Sequence, residues 1–149
     1  MKQLIGFLAI FLVLFACSKA DVQREVISTF NAPAAIGPYS QAVKVGNMLY
    51  LSGQIAIDPA TGQFVPGGIT EQTQQVLKNS SAVLKAAGFS INDVVQCQVF
   101  LQDLNDYGAL NNVYKTYFTE SLPARAVVQA ARIPKDALVE IMMVAVKTK

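Results

Sequence analysis

Two segments of helical period stand between runs of strand character, and that order leaves few folds open. From Thr70 to Ala87, the residues Val76, Leu77, Ser80, Val83, Leu84 and Ala87 recur on one helical face, with a single small polar break. Thr70 can cap this helix, Glu71 sits in its first turn, and Gly88 ends it. From Asp106 to Thr119, Tyr107, Leu110, Tyr114, Tyr117 and Phe118 share a second face, and Pro123 blocks further extension. Ahead of both, Gly46-Asn47 separates two short β-prone runs, Ala42 to Val45 and Met48 to Ser52, which reads as a hairpin. Val94 to Leu101 reads as a strand between the helices, with Val95, Cys97, Val99 and Leu101 on one face. Arg125 to Ala131 and Leu138 to Val146 read as two closing strands. Helices segregated this way cover one face of a mixed sheet, an α+β sandwich.

The opposite face of that sheet then carries Tyr50, Phe100, Met142, Val144 and Val146, which two helices on the far side cannot cover. An apolar face of this size calls for a partner, and a cyclic ring of identical copies is the common solution. The chain has 149 residues, enough for one domain with a sizeable core. It contains no His, which excludes Ser-His-Asp and Cys-His catalysis and every His-containing metal site. Its two Cys residues suffice for neither an all-cysteine zinc site nor a disulfide framework. The net charge of +2, without a basic run, argues against a nucleic-acid partner. A small-molecule enzyme without metal, or a binding protein, is what remains.

The N-terminus reads as an address. Lys2 precedes an uncharged apolar stretch, Leu4 to Phe15, too short to span a bilayer but suited to a secretory signal. Leu14-Phe15-Ala16-Cys17 resembles a bacterial lipoprotein cleavage site with Cys17 as the lipidated residue, although Phe15 is larger than that pattern favours. The expectation is therefore a signal peptide over 1–16, a tether over 17–25, and a domain over 26–149. It implies an exported protein anchored to the membrane through lipid on Cys17 in a bacterial envelope (periplasm or outer membrane), with a soluble periplasmic form as the alternative.

Several polar residues stand out of place within the domain. Glu140 interrupts an apolar strand on the face of Met142, Val144 and Val146. Buried there, its pKa would rise toward proton-transfer range; exposed, it would be an ordinary edge residue or ion-pair partner. Arg125 opens a strand, and its planar fork suits a small carboxylate, or equally a surface ion pair. Tyr39 and Ser52 offer hydroxyls close to Gly37 and Gly53, which permit close approach of a ligand or merely turn packing. Asn111, beside the apolar helical stripe, can hydrogen-bond a loop or a ligand. Cys97 reads as a core thiol.

These residues sit in longer motifs that resemble the reactive intermediate deaminase family, in its RidA or YjgF-type subgroup. The motifs are Asn31-Ala32-Pro33-Ala34-Ala35-Ile36-Gly37-Pro38-Tyr39-Ser40-Gln41, Leu51-Ser52-Gly53-Gln54-Ile55, Pro123-Ala124-Arg125, and Ile133-Pro134-Lys135-Asp136 followed by Val139-Glu140-Ile141. The resemblance implies a chorismate-mutase-like fold and a homotrimer with sites in the clefts between subunits. It implies hydrolysis of enamine and imine intermediates, 2-aminoacrylate-type 2-imino acids, to 2-keto acids and ammonia, without metal or cofactor. It assigns Arg125 to the substrate carboxylate and Glu140 to the attacking water. Tyr39, Ser52 and Asn111 would line the pocket, with backbone groups of Gly37 and Gly53. Val127 departs from the pattern, since many RidA members carry Cys there. A non-catalytic trimeric module binding a small carboxylate or a protein at the same cleft is the competing reading. The ribonuclease role claimed for some relatives fits poorly with a near-neutral chain.

Overall fold

The computed structural model describes residues 22–148. Residues 1–17, with Cys17 and the expected signal, lie outside them. Six strands form one sheet: β1 (Arg24–Ile27), β2 (Ala42–Val45), β3 (Met48–Gln54), β4 (Val94–Leu101), β5 (Ala124–Gln129) and β6 (Val139–Val146). Their order across the sheet is β1-β2-β3-β6-β4-β5. The β4–β5 pair is parallel and the other pairs are antiparallel, so the sheet is mixed. The helices α1 (Ile69–Ala86) and α2 (Tyr107–Tyr117) connect β3 to β4 and β4 to β5. Both pack on one face. Leu49, Leu51, Cys97, Val99, Ile141 and Met143 from the strands meet Val76, Leu77, Leu84 and Leu110 from the helices, all buried. This is the α+β arrangement expected from the sequence pattern and, more finely, the chorismate-mutase-like one that the family resemblance implies.

The hairpin forms at Gly46, whose φ of 59° lies in the left-handed region that glycine enters without a Cβ penalty. The first helix begins one residue earlier than its pattern indicated. Thr70 is inside it, and Glu71 reaches back to accept the Gly68 N–H at 2.8 Å. Gly88, at φ 79°, reverses the chain after α1 as anticipated. Three local differences have physical causes. The polar run 18–27 contains an edge strand, because Arg24 to Ile27 pair with Val45 to Ala42. A register shift between Val94 and Gln96 puts Val94 in the core and leaves Val95 exposed, reversing its expected side. Tyr107 is 42% exposed rather than part of the buried stripe, because it stands at the open end of α2, where that stripe runs off the core.

The second face of the sheet is as the alternation requires. Tyr50 is exposed there, while Phe100, Glu140, Met142, Val144 and Val146 are half-buried. Among the described residues, no helix is long and apolar enough to cross a membrane.

Candidate functional site

The candidate residues fall into two groups on opposite faces of the sheet. Arg125 is paired in register with Cys97 and so points toward the helices. Glu140 is paired with Phe100 and points the other way. With β4 between their strands, they are also displaced sideways by roughly 10 Å. Within one chain the guanidinium and the carboxylate do not meet.

On the helical side, α2 presents Tyr107, Asn111, Tyr114 and Phe118 as one stripe at helical spacing. The Arg125 guanidinium lies 4.5 Å from the centroid of the Tyr114 ring, which in turn stacks on Phe118 at 4.3 Å. This sandwich fixes the plane of the guanidinium. Its Nη2 donates to Asn111 Oδ1 at 2.8 Å and to Tyr107 Oη at 3.2 Å. Arg125, Asn111 and Tyr114 border a cavity of about 510 Å³, shared with Lys115, Phe118, Leu122 and Pro123. Behind it, burial pushes the Cys97 thiol and the Tyr114 phenol up, so both are neutral and unreactive. A guanidinium held this way is a fixed receptor for a carboxylate.

On the open side, Glu140 lines a cavity of about 370 Å³ with Tyr39, Ser52, Gly53, Ile36, Ile55, Pro134 and Met142. The walls are mostly apolar, and desolvation raises the Glu140 pKa above the ordinary carboxylate value. A β-bulge makes room for it. Leu51 pairs with Met143 and Gln54 with Ile141, so β3 carries one extra residue at Ser52–Gly53 opposite Met142. The Glu140 side chain lies directly against the Gly53 Cα, where any Cβ would collide with its carboxylate. Gly53 therefore serves the acid, a reason beyond ligand approach or turn packing.

Ser52 Oγ donates to the Ser40 carbonyl at 2.7 Å, tying the bulge to the 29–41 loop. Gln41, buried, holds that loop from inside. Its amide donates to the carbonyls of Pro33 at 2.7 Å and Thr29 at 3.0 Å, and accepts the Thr29 N–H. Tyr39 is exposed, and its hydroxyl accepts the Ile36 N–H at 3.2 Å. Gly37 lies outside the cavity lining, with Tyr39 carbons 3.4 Å from where its Cβ would be. The structure thus brings Tyr39, Ser52 and Gly53 to Glu140, and Asn111 to Arg125.

The sequence pattern alone assigns no role at the site to Tyr107, Tyr114, Gln41 or the apolar walls Ile36, Ile55 and Pro134. Tyr107 and Tyr114 belong to a helical stripe whose pattern is that of core residues. Gln41 lies within a motif but carries no chemical signal of its own.

The family model described as endoribonuclease L-PSP matches residues 29–147. A RutC family protein of Pyrococcus horikoshii is 56% identical over 83% of this chain and 98% of its own length. The 2-iminobutanoate/2-iminopropanoate deaminase of Mus musculus is 54% identical over 86% of this chain and 95% of its own. The crystal structure of TdcF from E. coli with bound serine superposes with a TM-score of 0.80 at 43% identity, covering 83% of this chain and 99% of that one. These relatives overturn the location expected from residues 1–17. An archaeal and a mammalian protein are matched almost end to end by the domain alone, with no counterpart to an envelope leader. The exported, lipid-anchored or periplasmic setting finds no support in these relatives.

Proposed function

The chain belongs to the RidA/YjgF family, the group described by the endoribonuclease L-PSP model, and from that membership we propose that it hydrolyses reactive enamine and imine intermediates to 2-keto acids and ammonia. The substrates are 2-imino acids of the 2-aminoacrylate type, as the name of the mouse relative indicates for that protein. The domain over 26–149 carries the activity. A net charge of +2 offers little to a polyanion, so the endoribonuclease description is not carried over.

The observation that carries the mechanism is the pairing of an immobilised guanidinium with an acid whose pKa desolvation raises. Arg125 takes the substrate carboxylate in its fork. Glu140, whose proton desolvation holds more tightly than an ordinary carboxyl does, gives that proton to the enamine carbon and leaves an iminium, whose carbon is the better electrophile. Glu140 then accepts a proton from the water that adds to that carbon. Glu140 passes that proton to the carbinolamine nitrogen, ammonia leaves, and the hydroxyl proton returns to Glu140 as the carbonyl of the 2-keto acid forms. Positioning supplies most of the acceleration, because the substrate hydrolyses slowly unaided.

Because the two groups face opposite ways in one chain, the working site joins Arg125 of one copy to Glu140 of the next. A closed ring of three copies accomplishes this and covers the apolar sheet face. Imine loss is followed by coupling the protein to an amino-acid oxidase that generates the substrate. The full chain accelerates keto-acid release over buffer, and Arg125→Ala loses about hundredfold or more in turnover per active site. Wild-type rates in Arg125→Ala, with the assembly intact, would reject the assignment. No acceleration by the native chain would favour a binding module.

A further inference from the structure

The Arg125 guanidinium is already occupied at the position a carboxylate needs. A guanidinium offers two two-pronged edges, Nε with Nη2 and Nη1 with Nη2, and both include Nη2. Here one Nη2 hydrogen goes to Asn111 Oδ1 at 2.8 Å and the other to Tyr107 Oη at 3.2 Å. A carboxylate arriving in the fork has to displace one of them. The longer bond, to a tyrosine that is 42% exposed, is the weaker of the two. Tyr107 has its own proton to offer in return, because no acceptor among the described residues takes it.

We propose that Tyr107 is a placeholder and third arm of the carboxylate clamp: it accepts an Arg125 hydrogen in the free protein and donates its phenolic proton to the carboxylate in the complex. The inference rests on the assignment of Arg125 to the substrate carboxylate, and it adds a specificity residue to that site. Exchange of one acceptor for another keeps both Nη2 hydrogens paired throughout, and it rewards an anion that can also receive the phenol's bond.

The exchange has a pH signature. The Asn111 amide and the Arg125 guanidinium hold the Tyr107 phenol below its ordinary value. Once deprotonated, Tyr107 has nothing to donate and remains as an anion on Nη2, where it competes with the incoming carboxylate. The other charged and titratable groups nearby are Asp103 and Asp106 in the turn leading to α2, Tyr114 and Lys115 on α2, of which Lys115 borders the same cavity and is the same in the protein and in a Tyr107 variant, and Cys97 on β4. Burial pushes the Tyr114 phenol and the Cys97 thiol up, which keeps both from titrating ahead of Tyr107.

The test measures calorimetric binding of 2-oxobutanoate, a stable product-type 2-keto acid, to the full-length protein and its Tyr107→Phe variant between pH 7.5 and 10. The variant keeps the ring beside the guanidinium and removes one hydroxyl. Loss of a hydrogen bond to a charged group raises its Kd about tenfold at pH 7.5. Wild-type Kd climbs toward pH 10, and the variant's stays flat. An unchanged Kd at pH 7.5, or an alkaline climb that persists in the variant, overturns the inference. Arg125→Ala separates the two levels: if it binds like wild type, the carboxylate assignment itself fails, whereas if it alone loses binding, only the role of Tyr107 falls.

Discussion

Glu140 is half-buried beside Ile55, Pro134 and Met142, and the absence of a side chain at Gly53 gives its carboxylate a place to lie. Desolvation raises its pKa, so the folded chain holds that proton more tightly than the unfolded chain does. Stability attributable to this residue therefore falls as pH rises from the ordinary carboxylate value through the raised one. Glu140→Gln removes the penalty. Urea unfolding should find the variant more stable than wild type at neutral pH, with the difference vanishing in acid. Its turnover should drop by about hundredfold or more, the usual worth of a positioned acid or base. A variant that is both less stable and equally active would contradict the assignment. This acid was legible in the sequence because one carboxylate in an apolar strand is conspicuous. The bulge that houses it was not, since one extra residue in β3 leaves no mark on a period-two pattern.

At the scale of elements, α1 does more than cover the sheet. Its buried polar residues bond to chain segments around the open-face cavity. Asn79 Nδ2 donates to the Ile57 carbonyl at 2.9 Å and the Ile55 carbonyl at 3.2 Å, while its Oδ1 accepts from Gln75 at 2.8 Å. Gln72 Oε1 accepts the Leu138 N–H at 2.9 Å, just ahead of β6. Asn79→Ala leaves two carbonyls and one amide without these partners, a loss of about 3 kcal/mol measurable by denaturant midpoint. The elements themselves were readable from periodicity, turns and breakers, and most of their ends agree within a residue or two. Partners across the fold were not readable. Asn79 is separated in sequence by more than twenty residues from the carbonyls it serves. The side reversal at Val95 likewise follows from a bulge defined only against β6.

For the whole molecule, the placement of Arg125 and Glu140 on opposite faces makes a direct prediction from the proposed ring. Arg125→Ala chains and Glu140→Gln chains are each inactive alone. Unfolded and refolded together in equal amounts, they form mixed rings in which about one site in four combines two intact groups, and that share of native turnover should return. No recovery in mixed rings of demonstrated composition would place both groups in the same copy. The family motifs pointed to the candidate residues, but motif order along a chain does not say which face of a sheet each of them occupies. That follows only from register. One consequence of the proposed ring reaches beyond chemistry: with its groups divided between two surfaces, a newly made chain would be inert until it finds its fellows. Detoxifying power then rises more steeply than the number of chains, so scarcity disarms the protein before damage to any single residue does.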